Sequence, residues 1–153
     1  MKLYLAQHGE AMPKEIEPAR PLTEKGKSDV YKVAKFLNEK AIKVDIIWHS
    51  TKTRAIQTAR IFSEVVETKE GIKEKEGLMP NDSVNNIRDE LSTEERNLMI
   101  VSHLPFLQKL ASLLLVKSES YEIIGFCQGG VVCLERKDED RWHLIWAITP
   151  HMV

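Results

Sequence analysis

A chain of 153 residues with 42% apolar side chains is long enough to bury a hydrophobic core, and the simplest reading is one domain over residues 1–153. Its 22 basic and 23 acidic residues leave a net charge of −1. That balance excludes a protein that grips nucleic acid through a broad basic surface, although a local cationic pocket stays open. Cys127 and Cys133 lack CxxC spacing and cannot set up a disulfide framework. No apolar run reaches the ~18 residues of a membrane span, and the first residues lack the pattern of a signal peptide. The expectation is a soluble, cytoplasmic protein without membrane or nucleic-acid partners.

In chain order, "KLYLA" (2–6) reads as a buried first strand because it is short, apolar and followed by a polar turn. Residues 9–22 hold Pro13, Pro18 and Pro21 and must form a loop. Thr23 is a suitable N-cap for a helix presenting Val30, Val33, Ala34 and Leu37 on one face, although Gly26 near its start weakens it. "VDIIWHS" (44–50) is the second strand, and 51–66 places Ala55, Ile56, Ala59, Ile61, Phe62 and Val66 at helical spacing. Residues 68–97 are charged and irregular, with a short helix or two between Ser83 and Arg96. "NLMIVSH" (97–103) is a further strand, followed by a helix over "PFLQKLASLLL" with Pro105 in its first turn. "GGVVCLER" and "RWHLIWAITP", separated by "KDED", read as a hairpin.

This alternation predicts a three-layer α/β/α sandwich with a mostly parallel sheet and an antiparallel C-terminal hairpin. Ligands in such sheets bind beyond the carboxyl ends of the strands. Three of those ends coincide with polar residues: His8, then Ser50 with Arg54 a turn later, then His103. Two imidazoles and a guanidinium suit an anionic tetrahedral group. Arginine offers forked donors to oxyanions, and neutral histidine is a competent nucleophile. A second, protonated imidazole would stabilise developing charge.

"QHGEA" (7–11), "RPLTEKG" (20–26), "HSTKTRAIQTA" (49–59) and "VSHLP" (101–105) together resemble the histidine phosphatase superfamily, and within it the small SixA-type phosphohistidine phosphatases. The motifs run in the family's order along essentially the whole chain, and the length suits the branch without a large cap insertion. The resemblance implies a phosphoglycerate-mutase-like fold. It implies that His8 is the nucleophile, Arg54 a phosphate ligand, His103 the second pocket histidine and Arg20 a further basic residue near the pocket. Gly9 would let the chain turn sharply and approach a ligand. Ser50 would either cap the next helix or support the pocket, and capping is the expected role. Glu10 would orient a pocket arginine or face solvent. His49, His143 and His151 match no catalytic position and are expected at a partly buried site, a strand face and a mobile terminus.

One position departs from the pattern. The family carries arginine where this chain has Gln7. Loss of one preorganised donor to a transition-state oxyanion costs roughly 2.7–4 kcal/mol, about 10²–10³ in rate. Glutamine keeps an N–H, and Arg54, Arg20 and protonated His103 would remain as cations, with Lys14 the one lysine of the 9–19 loop able to assist. The implied function is dephosphorylation of a phosphohistidine protein through phospho-His8, slowed by Gln7. The alternatives are a phosphatase for small phosphate esters, which would need Glu74, Glu76 or Asp82 as general acid, and a phosphate- or phosphoprotein-binding module with little turnover. No cofactor is implied. No His/Asp/Glu cluster has metal-ligand spacing either, since His8 and His103 make only a pair.

Overall fold

The first strand, β1 (Lys2–Gln7), lies in the middle of the molecule because Leu3, Tyr4, Leu5 and Ala6 are apolar on both faces and all are buried. The computed structural model describes residues 1–138 and 140–153. In chain order β1 is followed by α1 (Glu24–Glu39), β2 (Ile46–His49), α2 (Thr53–Val65), β3 (Ile72–Glu74) and α3 (Asn85–Thr93). Then come β4 (Leu98–Ser102), α4 (Phe106–Val116), β5 (Val131–Asp138), β6 (Arg141–Ile148) and a 3₁₀ turn at Pro150–Met152. The six strands form one sheet in the order β3-β2-β4-β1-β5-β6. β3, β2, β4 and β1 are mutually parallel, and β5 and β6 add antiparallel on the far side of β1. The expected α/β architecture with its C-terminal hairpin is therefore present.

Strand alternation sorts the core into two layers. Leu3, Leu5, Trp48, Leu98 and Ile100 face α3 and α4, where Ile87, Leu91, Phe106, Leu107 and Leu110 pack on them. Tyr4, Ala6, Ile47, Met99 and Val101 face α1 and α2, meeting Val30, Val33, Ala34, Leu37, Ala55, Ala59 and Phe62. The face read for α1 is the buried one, and Thr23 caps this helix by accepting a 2.9 Å hydrogen bond from the Gly26 N–H.

The structure departs from expectation in two places. β3 was not anticipated within 68–97: it has three residues, of which Lys73 and Glu74 are exposed, and it is held by parallel pairing with β2 rather than by burial. α2 begins at Thr53, with Lys52 rather than Ser50 in the N-cap position and no side-chain cap.

What this topology does for the site is simple. β1, β4 and β2 are neighbours, and their registers pair Gln7 with Ser102 and His49 with Val101. Residues 8, 50 and 103 each follow directly after one of these strand ends. The His8 N–H bonds the Ser102 carbonyl at 3.1 Å, and the Ser50 N–H bonds the Val101 carbonyl at 3.4 Å. Three polar side chains from distant parts of the sequence thus emerge at one edge.

Candidate active site

His8 is 7% exposed, and its ring is held at one nitrogen. Nδ1 lies 2.7 Å from the Gly9 carbonyl, which can only accept, so Nδ1 carries the proton. The lone pair is therefore on Nε2, where Arg54 Nε donates at 3.3 Å. Burial, reinforced by the charges of Arg54 and Arg20, pushes the His8 pKa down to about 4 against the opposing effect of the Gly9 bond. At physiological pH the ring is a neutral imidazole with its free nitrogen beside a guanidinium.

The turn that carries His8 is locked by the α1/α2 side of the sheet. Gly9 N–H donates to Thr58 Oγ1 at 3.0 Å, and the same hydroxyl donates to the Arg54 carbonyl at 2.7 Å. Gln57 Oε1 accepts from the Leu22 N–H at 2.7 Å. Gln57 and Thr58 of the "RAIQTA" segment thus position the turn and the loop, a role that helical periodicity does not reveal. Gly9 also serves close packing. A Cβ there would sit 2.9 Å from the Gly26 carbonyl oxygen, and a Cβ on Gly26 would come within 2.2 Å of the Glu10 carbonyl oxygen. The glycine that weakened α1 on propensity is the one that lets α1 touch the turn. Glu10 is neither oriented on an arginine nor simply solvated: its carboxylate accepts a 2.6 Å hydrogen bond from the Thr23 hydroxyl at the start of α1.

His103 is 1% exposed, with its ring centroid 5.0 Å from that of His8 and the planes inclined at 54°. Its Nε2 shares a 2.6 Å hydrogen bond with the Ser50 hydroxyl. Ser50 therefore supports the second histidine instead of capping α2; Lys52 N–H reaches its oxygen only at 3.4 Å. The Nδ1 of His103 is buried without a hydrogen-bond partner. Burial foremost, then His8, Arg54, Lys52 and Arg20, push the His103 pKa down to about 3. The protonated His103 expected from sequence is thus a neutral ring here, and an anion beside it would be needed to draw a proton onto it.

Gln7 is 8% exposed, and its Oε1 is a buried acceptor without a partner. Arg20 has a left-handed backbone (φ 50°) and donates from Nε to the Met12 carbonyl at 3.1 Å. It shares a cleft of about 420 Å³ with Lys14, Lys52 and Arg54. The structure therefore brings together His8, Gly9, Arg54, Ser50 and His103, with Arg20 at the adjoining cleft. Lys52, a further cation on the cleft wall, was missed in the sequence because it precedes α2 without any motif of its own. Of the candidate acids, Asp82 accepts from the Met79 N–H at 2.9 Å and closes a turn, while Glu74 and Glu76 are exposed. His49 is buried, with its Nδ1 2.9 Å from the Ser50 carbonyl, and His143 is exposed on β6. His151 is exposed in the terminal 3₁₀ turn, which packs on α1. Both cysteines are free thiols.

A paired histidine site of this kind on a parallel sheet has a family counterpart. The model of the histidine phosphatase superfamily (branch 1) matches residues 3–83. The chain belongs to that superfamily. Solved structures extend the likeness to the whole fold. The protein histidine phosphatase SixA complexed with tungstate is 18% identical, with a TM-score of 0.89 over 99% of each chain. A candidate phosphohistidine phosphatase SixA from Agrobacterium tumefaciens is 22% identical, with a TM-score of 0.78 over 97% of each chain. The phosphoserine phosphatase from Entamoeba histolytica, in complex with 3-phosphoglyceric acid, is 19% identical with a TM-score of 0.74 over 99% of each chain. At these identities the likeness is one of fold. No curated protein matches the chain by sequence. No helix among the described residues of this histidine phosphatase superfamily member is long and apolar enough to cross a membrane.

Proposed function

We propose that this chain is a phosphohistidine phosphatase that removes the phosphoryl group of a phosphohistidine protein in two steps. His8 Nε2 attacks phosphorus as the donor imidazole leaves, and water then attacks phospho-His8, releasing phosphate and restoring the free ring. The observation that carries this reading is the fixed tautomer of His8: Nδ1–H is held by Gly9, and the Nε2 lone pair lies beside Arg54. The ring needs no change of tautomer before attack; only the Arg54 Nε–H has to pass from the Nε2 lone pair to the incoming phosphoryl oxygens, and such positioning and charge do most of the work in phosphoryl transfer.

Arg54 would hold the equatorial oxygens, and the unpartnered Nδ1 of His103 supplies a further site for the transferring group. As a dianion enters, its field favours protonation of His103, the reverse of the effect of the surrounding cations. Arginine and histidine then supply the charge stabilisation that a metal ion supplies elsewhere. The preference for a P–N substrate is supported by the candidate acids. Asp82 is engaged in its own turn and Glu74 and Glu76 point to solvent exposure, whereas an alkoxide leaving group requires a placed acid. Imidazole leaves readily once protonated.

Gln7 favours a second reading, a phosphoprotein-binding module with slow turnover, because its buried amide replaces a cation and leaves Oε1 unpartnered. Phosphate release from a phosphohistidine protein and from a simple aryl phosphate, measured for the native chain, Gln7→Arg and His8→Ala, tests both. The proposal expects native activity on the P–N donor, an increase in Gln7→Arg and none in His8→Ala. Full activity in His8→Ala would overturn it. A silent native chain beside an active Gln7→Arg would establish the binding module.

A further inference from the structure

The cleft beside Arg54 is larger and more cationic than one phosphoryl group requires. Its walls carry Lys14, Arg20, Lys52 and Arg54, with Thr51 and Thr53, and no lining residue is a carboxylate. Among the described residues none of these four cations has a salt-bridge partner to offset its charge. Two local features run against stability at this place. Lys52 occupies the N-cap of α2 with no side-chain cap, a position that favours a hydroxyl or carboxylate, and it sets a positive charge at the positive end of a helix dipole. Arg20 holds a left-handed backbone that an ordinary side chain avoids. Violations of local rules concentrated on one wall are a mark of function.

We propose that Lys14 and Lys52, with Arg20, form a second anion subsite, which takes a carboxylate or a second phosphate carried by the substrate next to the transferred phosphoryl group. Arg54 is shared: its Nε meets His8, and its side chain also lines the cleft. The subsite therefore adjoins the reacting centre through Arg54, and selects substrates with an extra negative group beside the transferred phosphoryl group. Lysine ammonium groups act here as compact point charges, suited to an anion of variable shape. The inference builds on the reading of the His8 pocket as the phosphoryl site. The anionic group could belong to an acidic stretch beside a phosphohistidine or to a small phosphorylated acid.

The test compares orthophosphate and pyrophosphate binding by calorimetry in the native chain, in Lys14→Gln, Lys52→Gln and the double variant, and in Lys35→Gln as a control for net charge on exposed α1. Each cleft lysine should weaken pyrophosphate by roughly fivefold, the range of about 1 kcal/mol for a partly exposed ion pair, and leave orthophosphate within about twofold. Lys35→Gln should change neither. Pyrophosphate binding unaltered in the double variant, or weakened equally by Lys35→Gln, would overturn the subsite. KM for a phosphohistidine peptide flanked by aspartates and for carboxyphenyl phosphate then assigns the source: the double variant raises KM for the one that uses the cleft and spares kcat. Because the binding arm needs no turnover, loss of hydrolysis with the pyrophosphate effect intact would count against the phosphatase reading alone.

Discussion

The two faces of the sheet follow different rules. The α3/α4 face is held by large apolar side chains, among them Phe106, Leu107 and Leu110 against Leu3, Leu5 and Ile100. The α1/α2 face also has an apolar layer, but its upper edge is laced by specific polar bonds: Gly9 to Thr58, Leu22 to Gln57, and Thr23 to Glu10. Gly9 and Gly26 bring backbone against backbone there. Hydrophobic packing tolerates small shifts, whereas a nucleophile must be held to a fraction of an ångström. The proposed phosphate site sits where bonds, not bulk, fix the geometry, and only His103 comes from the strand leading into the bulkier face.

That contrast can be broken from either side. The largest stability effect should come from Leu110→Ala, which removes a fully buried side chain from the apolar face and costs about 2–5 kcal/mol. Thermal unfolding should register the loss while kcat per folded molecule stays unchanged. Gly26→Ala comes next. Alanine would gain at most about 1 kcal/mol of helix propensity, but its Cβ meets the Glu10 carbonyl oxygen at 2.2 Å, so overpacking of about 1–3 kcal/mol wins. Here kcat should fall along with the melting temperature, because the displaced turn carries His8.

Thr58→Val sharpens the comparison. It keeps the shape but strips the hydroxyl that serves Gly9 and Arg54, costing about 1–3 kcal/mol and leaving the buried Gly9 N–H without its partner. Steady-state kinetics should show kcat reduced by about tenfold with a smaller change in KM, since alignment rather than affinity is lost.

The smallest effect near neutrality is electrostatic. His8 and His103 are held below the ordinary histidine value of 6.5, to about 4 and about 3, so below pH 6.5 the unfolded chain takes up protons that the folded chain refuses. Stability is complete above pH 6.5 and falls as pH drops toward those values. Denaturant titrations across pH 7.5 to 4 should show this decline, and His103→Asn should flatten part of it. An unchanged slope in that variant would mean that the second histidine is not held neutral.

How much could be read in advance follows the same division. The apolar periodicities of β1, α1, β4 and α4 are strong because each buries a continuous face, and they located both layers. β3 escaped notice because an edge strand of three residues is stabilised by backbone pairing that leaves no side-chain pattern. The motif histidines and Arg54 stood out by spacing. The roles of Thr58, Gln57 and Ser50 did not, since each depends on a partner 35 to 53 residues away. Lys52 looks like an ordinary charged turn residue until the cleft assembles around it. The neutrality of His103 is a consequence of burial among cations, which only the folded arrangement determines.

The account stands on which nitrogen of one ring reacts. The native chain, mixed with a phosphohistidine donor and quenched in alkali, should yield a peptide containing residue 8 phosphorylated on Nε2, identified by mass spectrometry and by phosphorus–nitrogen coupling in nitrogen-labelled protein. A phosphoryl group on Nδ1, or on any side chain other than His8, would contradict it.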